Sequence, residues 1–146
     1  ESYIDVFHKL YSMNKEFAKS YIKLIWLDTI VYNVDRHNQN YGLLRNRYTG
    51  EYVSLAPNFD NNLALISRNE TLNLDVKKDG FMNYFVKFVK NNSKAKDIYI
   101  NLDLPLINKE TIERCYSELN TTKNIQLITK YIVGRYNYLI NIKNKL

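Results

Sequence analysis

The sequence contains very little cysteine, glycine or proline. Its single cysteine, Cys115, excludes an intramolecular disulfide and favours a reducing, cytoplasmic location. The four glycines lie too far apart for the glycine-rich phosphate loops of P-loop and Rossmann proteins. No uninterrupted apolar run reaches the length of a membrane-spanning helix, and no signal-peptide pattern opens the chain, so we expect no membrane association.

The composition is that of a folded domain. Hydrophobic residues make up 45% of the 146 residues and aromatic residues 14%, which is too apolar for a disordered chain. The length suits one hydrophobic core, so residues 1–146 are predicted to form a single domain. Because the sequence begins without methionine, we expect it to be cut from a longer protein.

Positive charge is concentrated in the second half of the sequence. Residues 1–75 carry a net charge of −1 and residues 76–146 a net charge of +7. A basic face attracts nucleic acid, anionic lipid or an acidic partner. The lysines are scattered singly among Asn, Ile and Tyr, however, and this spacing is more typical of a solvated surface.

Helical periodicity covers most of the chain. It predicts a short helix that begins near Ile4 and ends within 12–14, followed by a helix that is capped by Asn14 and ends near Val31. The second helix is expected to be buried, because only two of residues 21–31 are charged. Further helices are predicted at 81–89, at 109–119 after an Asn108 cap, and at 122–143.

A small β-hairpin is predicted between the second and third helices. Two β-like runs, 41–44 and 52–55, flank the pair Thr49-Gly50, and the glycine can supply the positive φ of a hairpin turn. Pro57 and the asparagines that follow cannot continue a strand, so 56–62 is predicted to be a loop. Residues 67–78 are predicted to be loop as well. The fold class is therefore mainly α with a small β-hairpin.

Polar residues with the spacing of a phosphoryl-transfer site flank this hairpin. Asp35 and Asn40 have the Asp-x-x-x-x-Asn spacing of a kinase catalytic loop, and Asp60 follows one hairpin later. If the hairpin folds back on itself, the two loops become neighbours. A kinase needs a carboxylate at the acceptor hydroxyl, and an amide oxygen and a second carboxylate for magnesium.

The two loops together resemble the C-terminal lobe of HipA-like serine/threonine protein kinases. The first part of the resemblance is the Asn-x-Asp-Arg-His-x-x-Asn pattern at 33–40, and the second is the Leu-Ala-Pro-x-x-Asp pattern at 55–60. The specific match covers about 35 residues. The resemblance implies a protein-kinase-like C-lobe, with ATP and Mg²⁺ as cofactors and a protein Ser/Thr hydroxyl as acceptor.

The resemblance also assigns roles to individual residues. Asp35 would be the catalytic aspartate, with His37 beside it in the catalytic motif, and Asn40 and Asp60 would bind Mg²⁺ and, through it, the nucleotide phosphates. The roles of Arg36 and His37 stay open between contacting phosphate and bracing the loop. Asn33 matches a family position that we expect to be structural.

Phosphatidylinositol kinases share the Asp-Arg-His-x-x-Asn loop, so that loop alone does not choose between protein and lipid substrates. Lipid kinases continue with an Asp-Phe-Gly type segment. In this chain Phe59 precedes Asp60 and Asn61 follows it. This order favours the HipA-like kinases.

The nucleotide-covering N-lobe of the family is absent from this sequence, because only residues 1–14 precede the helix that leads to the catalytic loop. The chain is then an excised domain, one half of a split kinase, or a kinase that has lost catalysis. We expect it to be inactive alone. The alternative function is a degenerate lobe that binds protein or nucleic acid. Membership of a toxin–antitoxin system, with a DNA-binding antitoxin as partner, also stays open.

Overall fold

The computed structural model describes residues 2–59, 61, 64, 75–118 and 125–146. Within these residues the fold is mainly helical, with six α-helices and one two-stranded antiparallel hairpin. This confirms the predicted fold class at the level of secondary structure. The elements are α1 (Tyr3–Met13), α2 (Lys15–Val31), β1 (Leu43–Arg45), β2 (Tyr52–Leu55), a 3-10 turn (Val76–Lys78), α3 (Gly80–Asn91), α4 (Ser93–Ile100), α5 (Lys109–Glu118) and α6 (Ile125–Asn144).

The boundary between α1 and α2 is set by Asn14. Its backbone is extended, its N–H closes α1 on the Leu10 carbonyl, and its side chain accepts a hydrogen bond from the Glu16 N–H at the start of α2. Asn14 thus ends one helix and caps the next, as predicted. Asn108 likewise accepts a hydrogen bond from the Thr111 N–H at the start of α5, which agrees with its predicted role as a cap.

Helix α2 is the centre of the domain. It packs against α1, α3, α4, α6 and β2. Its side chains are buried on most faces, as predicted from its few charged residues. The residues of the core without exposed surface include Phe7, Ala18, Tyr21, Ile22, Ile30, Met82, Val89, Ala95, Tyr99 and Leu139.

Helix α4 was not predicted. Its apolar face is short, with only Ala95, Ile98 and Tyr99 buried. The cap was the detectable signal, because Asn92 accepts a hydrogen bond from the Ala95 N–H. A helix of eight residues carries too few periods for its hydrophobic pattern to stand out.

The hairpin lies one to two residues later than predicted on its first strand. Leu43 pairs with Leu55 and Leu44 with Ser54, and the pairing then skips Val53. Gly50 adopts a φ of 75° in the turn, as predicted. The Gly42 carbonyl accepts a hydrogen bond from the Ala56 N–H, so the antiparallel contact continues beyond β1 towards the preceding loop.

None of the helices in the described ranges is both long and apolar enough to cross a bilayer.

Candidate active site

The loop that carries Asp35 and Asn40 starts from a strained turn at the end of α2. Tyr32 lies in the left-handed region, with φ 54° and ψ 48°, and no other non-glycine residue in the described part of the chain has a positive φ. The N–H groups of Tyr32 and Asn33 both donate to the Asp28 carbonyl. This turn ends the helix and sends residues 33–42 towards β1.

A buried ion pair anchors this loop to the helix. The Nε and Nη2 atoms of Arg36 donate to the two carboxylate oxygens of Asp28, each at 2.8 Å, and neither side chain is exposed. An isolated charge at this depth would be very costly. The bidentate geometry satisfies both charges at once, so the position of Arg36 is set by the core helix.

The same guanidinium reaches the second predicted loop. Nη1 donates to the Asn40 carbonyl at 2.7 Å and to the Phe59 carbonyl at 2.8 Å. Nη2 donates to the Oδ1 atoms of Asn58 and Asn61, both at 2.8 Å. Arg36 therefore holds the catalytic-loop candidate against the segment that carries the second motif.

Asp60, the predicted metal ligand of that segment, lies outside the described residues. Its neighbours in sequence, Phe59 and Asn61, both accept hydrogen bonds from Arg36. The expectation that the hairpin brings the two loops together is thus met by the residues on either side of Asp60. The role of Asp60 itself stays a prediction.

Asn33 completes the connection between the helix and the two loops. It has no exposed surface, and its Nδ2 donates to Asp28 Oδ1 at 3.0 Å and to Asn61 Oδ1 at 3.2 Å. Its Oδ1 accepts a hydrogen bond from the Asp35 N–H at 3.3 Å. Every polar atom of this amide is used within the protein, in keeping with the structural role expected for it.

Asn40 is oriented by the loop that it closes. It is 3% exposed, its N–H donates to the His37 carbonyl at 3.0 Å, and its Nδ2 donates to the Asp35 carbonyl at 2.9 Å. Because Nδ2 is held in this way, the amide oxygen Oδ1 faces away from that bond. An oxygen of this kind is a suitable ligand for Mg²⁺.

Asp35 and His37 lie on the accessible side of the same turn. Asp35 is partly buried, and its carbonyl accepts hydrogen bonds from the His37 N–H at 2.9 Å and from Asn40. His37 is exposed, and its Nδ1 accepts a hydrogen bond from the Gln39 N–H at 3.2 Å. These contacts to the Asp35 carbonyl therefore fix the spacing of Asp35 and Asn40, whereas the His37 ring contacts the neighbouring Gln39 N–H.

The donor chemistry of the loop fits magnesium. Asn40 supplies an amide oxygen, and hard oxygen ligands of this type bind Mg²⁺ together with carboxylates and substrate phosphates. Among the described residues no three His, Cys, Asp or Glu side chains form a metal-binding group. A magnesium site here would combine Asn40 with carboxylate and phosphate oxygens.

Tyrosine rings lie close to the buried ion pair. Burial raises the pKa of Tyr3 to about 12, and the negative charge of Asp28 contributes to the same rise. Burial also raises the pKa of Tyr21, whose hydroxyl is buried and has no hydrogen-bond partner in the part of the chain that the structure describes.

Asp28 is the site residue that the sequence analysis did not identify. In the sequence it is one of the two charged residues within 21–31. A lone carboxylate on a buried face needs a partner, and Arg36, eight residues later, is the nearest arginine in the sequence. That requirement was the available signal for the pair.

Comparisons of the chain with protein-family models, curated proteins and solved structures found no match. The resemblance of the loops at 33–40 and 55–60 to a HipA-like kinase therefore stays a prediction. Its support is the arrangement around Arg36 and Asn40.

Proposed function

We propose that this chain is the C-terminal lobe of an ATP-dependent protein serine/threonine kinase of the HipA-like type. The observation that carries the proposal is the buried Arg36, which donates to Asn40 in the first motif and to Phe59 and Asn61 on either side of Asp60. One side chain, that of Arg36, therefore donates hydrogen bonds to both segments that the sequence assigns to the same reaction.

In this function the residues divide the work by position. The Asp35 carboxylate orients the acceptor hydroxyl and takes its proton. Asn40 Oδ1 and the Asp60 carboxylate would hold Mg²⁺, which would supply positive charge to offset that of the phosphates. Arg36 keeps the two loops at a constant separation, and bracing rather than phosphate contact is the role proposed for it, because its donors are directed at protein acceptors.

The nucleotide needs a covering lobe, which we propose is supplied by the same longer protein or by a separate chain. The acceptor is a Ser/Thr hydroxyl of a protein substrate. The alternative, a non-catalytic lobe that binds protein or nucleic acid through its basic half, has the net charge of residues 76–146 as its only support.

The test is phosphoryl transfer by the chain joined to its covering lobe, with Asp35→Ala and Asn40→Ala compared with Asn38→Ala. Asn38 is exposed in the same loop and belongs to neither predicted role. We expect Asp35→Ala and Asn40→Ala each to lower kcat by about 10²-fold or more, and Asn38→Ala to stay within about twofold. Wild-type turnover by either of the first two variants would refute the assignment.

The salt dependence of partner binding distinguishes the alternative, a binding module, from a kinase lobe. If the chain is a binding module, partner affinity survives Asp35→Ala and falls as salt rises. We also expect the chain alone, without a covering lobe, to show no measurable ATP-dependent phosphorylation. Rapid phosphorylation by the chain alone would contradict the need for a second lobe.

A further inference from the structure

A second buried arginine lies at the other side of the turn from which the candidate catalytic loop starts. Arg135, on α6, has no exposed surface. Its Nε and Nη2 both donate to the Thr29 carbonyl in the last turn of α2, at 2.8 and 2.5 Å. The final carbonyls of a helix have no partner within the helix, and here a side chain 106 residues away supplies one.

The guanidinium of Arg135 also contacts the strained residue of the turn. It lies over the Tyr32 ring, 5.4 Å from the ring centroid, while the Phe81 ring meets Tyr32 edge-on with centroids 6.1 Å apart. An aromatic residue in the left-handed region persists only where its surroundings hold it there. Arg135 and Phe81 provide those surroundings.

The charge of Arg135 is balanced by Asp79 at the start of α3. Asp79 Oδ2 accepts a short hydrogen bond from Nη1, and its Oδ1 accepts one from the Met82 N–H as the cap of α3. A Tyr131 ring also lies 4.9 Å from the guanidinium carbon. Arg135 therefore joins the end of α2, the start of α3 and the middle of α6 at one point.

We propose that Arg135 is a positioning residue for the candidate active site, which acts by holding the Tyr32 turn. The loop that carries Asp35 and Asn40 begins at this turn, so a change in the turn changes the direction in which the loop leaves α2. The effect of Arg135 on phosphoryl transfer rests on the proposed function, whereas its effect on the Tyr32 turn does not depend on that function.

The turn itself suggests a variant in which residue 32 no longer needs Arg135 to hold its conformation. Glycine adopts the left-handed conformation without strain, so Tyr32→Gly removes the need for side chains that keep residue 32 in place. If Arg135 were merely structural, its loss would cause the same defect in the wild type and in the Tyr32→Gly variant. If Arg135 positions the turn, its loss should raise exchange next to the turn in the wild type but not in the Tyr32→Gly background.

The experiment is hydrogen exchange of the whole chain, with the Asn33 amide compared with the Leu10 amide in α1. The measured quantity is the ratio of the exchange rate at Asn33 to that at Leu10. Arg135→Met should raise this ratio by about tenfold or more, and Tyr32→Gly should raise it by less than about threefold. The double variant Tyr32→Gly with Arg135→Met should return to within about threefold of Tyr32→Gly alone. An unchanged ratio in Arg135→Met, or an equal increase in the double variant, would overturn the proposal.

If Arg135→Met does not fold, Arg135→Lys takes its place under the same criteria. Lysine keeps the charge beside Asp79 but lacks the planar fork that meets the Thr29 carbonyl with two N–H groups. It should therefore raise the exchange ratio as well, and a wild-type ratio in Arg135→Lys would count against the proposal.

A kinetic readout separates this proposal from the proposed function. In the chain joined to its covering lobe, Arg135→Lys should lower kcat while the KM for ATP stays within about twofold. A fall in affinity alone would contradict a role in positioning the catalytic loop. If the joined wild type transfers no phosphate, the kinase function fails, and the exchange experiment still decides whether Arg135 holds the turn.

Discussion

The guanidinium of Arg36 and the carboxylate of Asp28 form two hydrogen bonds of 2.8 Å, and neither side chain is exposed to solvent. Asp28 belongs to the central helix and Arg36 to the candidate catalytic loop. The loop is therefore attached to the most buried element of the domain and not to a neighbouring surface. To leave α2, the loop would have to break this buried pair.

Removing either partner of this pair should destabilise the domain strongly. Arg36→Met removes the cation that faces the buried Asp28 carboxylate, and Asp28→Asn removes the carboxylate that meets Arg36 with two hydrogen bonds, so each should lower the free energy of unfolding by about 3–5 kcal/mol. Denaturant unfolding measures the change. Arg36→Met should cost more, because Asn40 and Phe59 also lose a donor.

The matched control is Arg47→Met. Arg47 is exposed on the hairpin, where its guanidinium carbon lies 5.2 Å from the centre of the Tyr48 ring, and its loss should change stability by less than about 0.5 kcal/mol. The double variant Asp28→Asn with Arg36→Met should cost less than the sum of the two singles. Strict additivity would contradict the pair as the source of the effect.

Two buried tyrosines should respond in opposite ways to the loss of their hydroxyls. Tyr99 donates to the Leu139 carbonyl at 3.0 Å, so Tyr99→Phe should lower the free energy of unfolding by about 1 kcal/mol. The Tyr21 hydroxyl is buried without a partner among the described residues, so Tyr21→Phe should leave stability unchanged or raise it by up to about 2 kcal/mol. Thermal and denaturant unfolding of the two variants measure these changes. A clear loss of stability in Tyr21→Phe would show that the Tyr21 hydroxyl has a partner.

Stability should fall at alkaline pH. Burial raises the pKa of Tyr3 and of Tyr131 from 10.0 to about 12 in the folded state. Since the unfolded phenols ionise first, the stabilisation is complete below about pH 10 and is lost as the pH rises through about 12. The measurement is the unfolding free energy across this range.

The tyrosine origin of that loss can be tested with two neighbouring rings. Tyr3→Phe removes a titrating group and should flatten the alkaline decline. Phe81→Leu alters a ring in contact with Tyr3 and should lower stability about equally at every pH. A steeper or unchanged decline in Tyr3→Phe would contradict a contribution from this phenol.

Local signals in the sequence were enough for most of the secondary structure. Asn14 and Asn108 cap their helices where their positions predicted, and Gly50 makes the hairpin turn. Those predictions succeeded because each depends on neighbouring residues. Helix α4 was missed because eight residues show little periodicity. The start of β1 was placed two residues too early, at Tyr41, whose ring packs on Tyr21.

The candidate site was predictable only in part. The spacing of Asp35 and Asn40 marked the loop, and the structure holds both in one turn through the Asp35 carbonyl. Several contacts that support the loop carried no local mark, because the residues they join lie far apart in sequence. Arg36 reaches residues 22 to 25 positions later, and Arg135 reaches Thr29 across 106 positions.

The contact between Arg135 and Thr29 also has a consequence for the order of events during translation. Chains emerge from the ribosome N-terminus first, so α2 leaves the tunnel long before α6 has been made. Until then the carbonyl at the end of α2 lacks its arginine, and the Tyr32 ring has only part of its enclosure. We therefore expect the loop next to that turn to take its final shape only after α6 has been made.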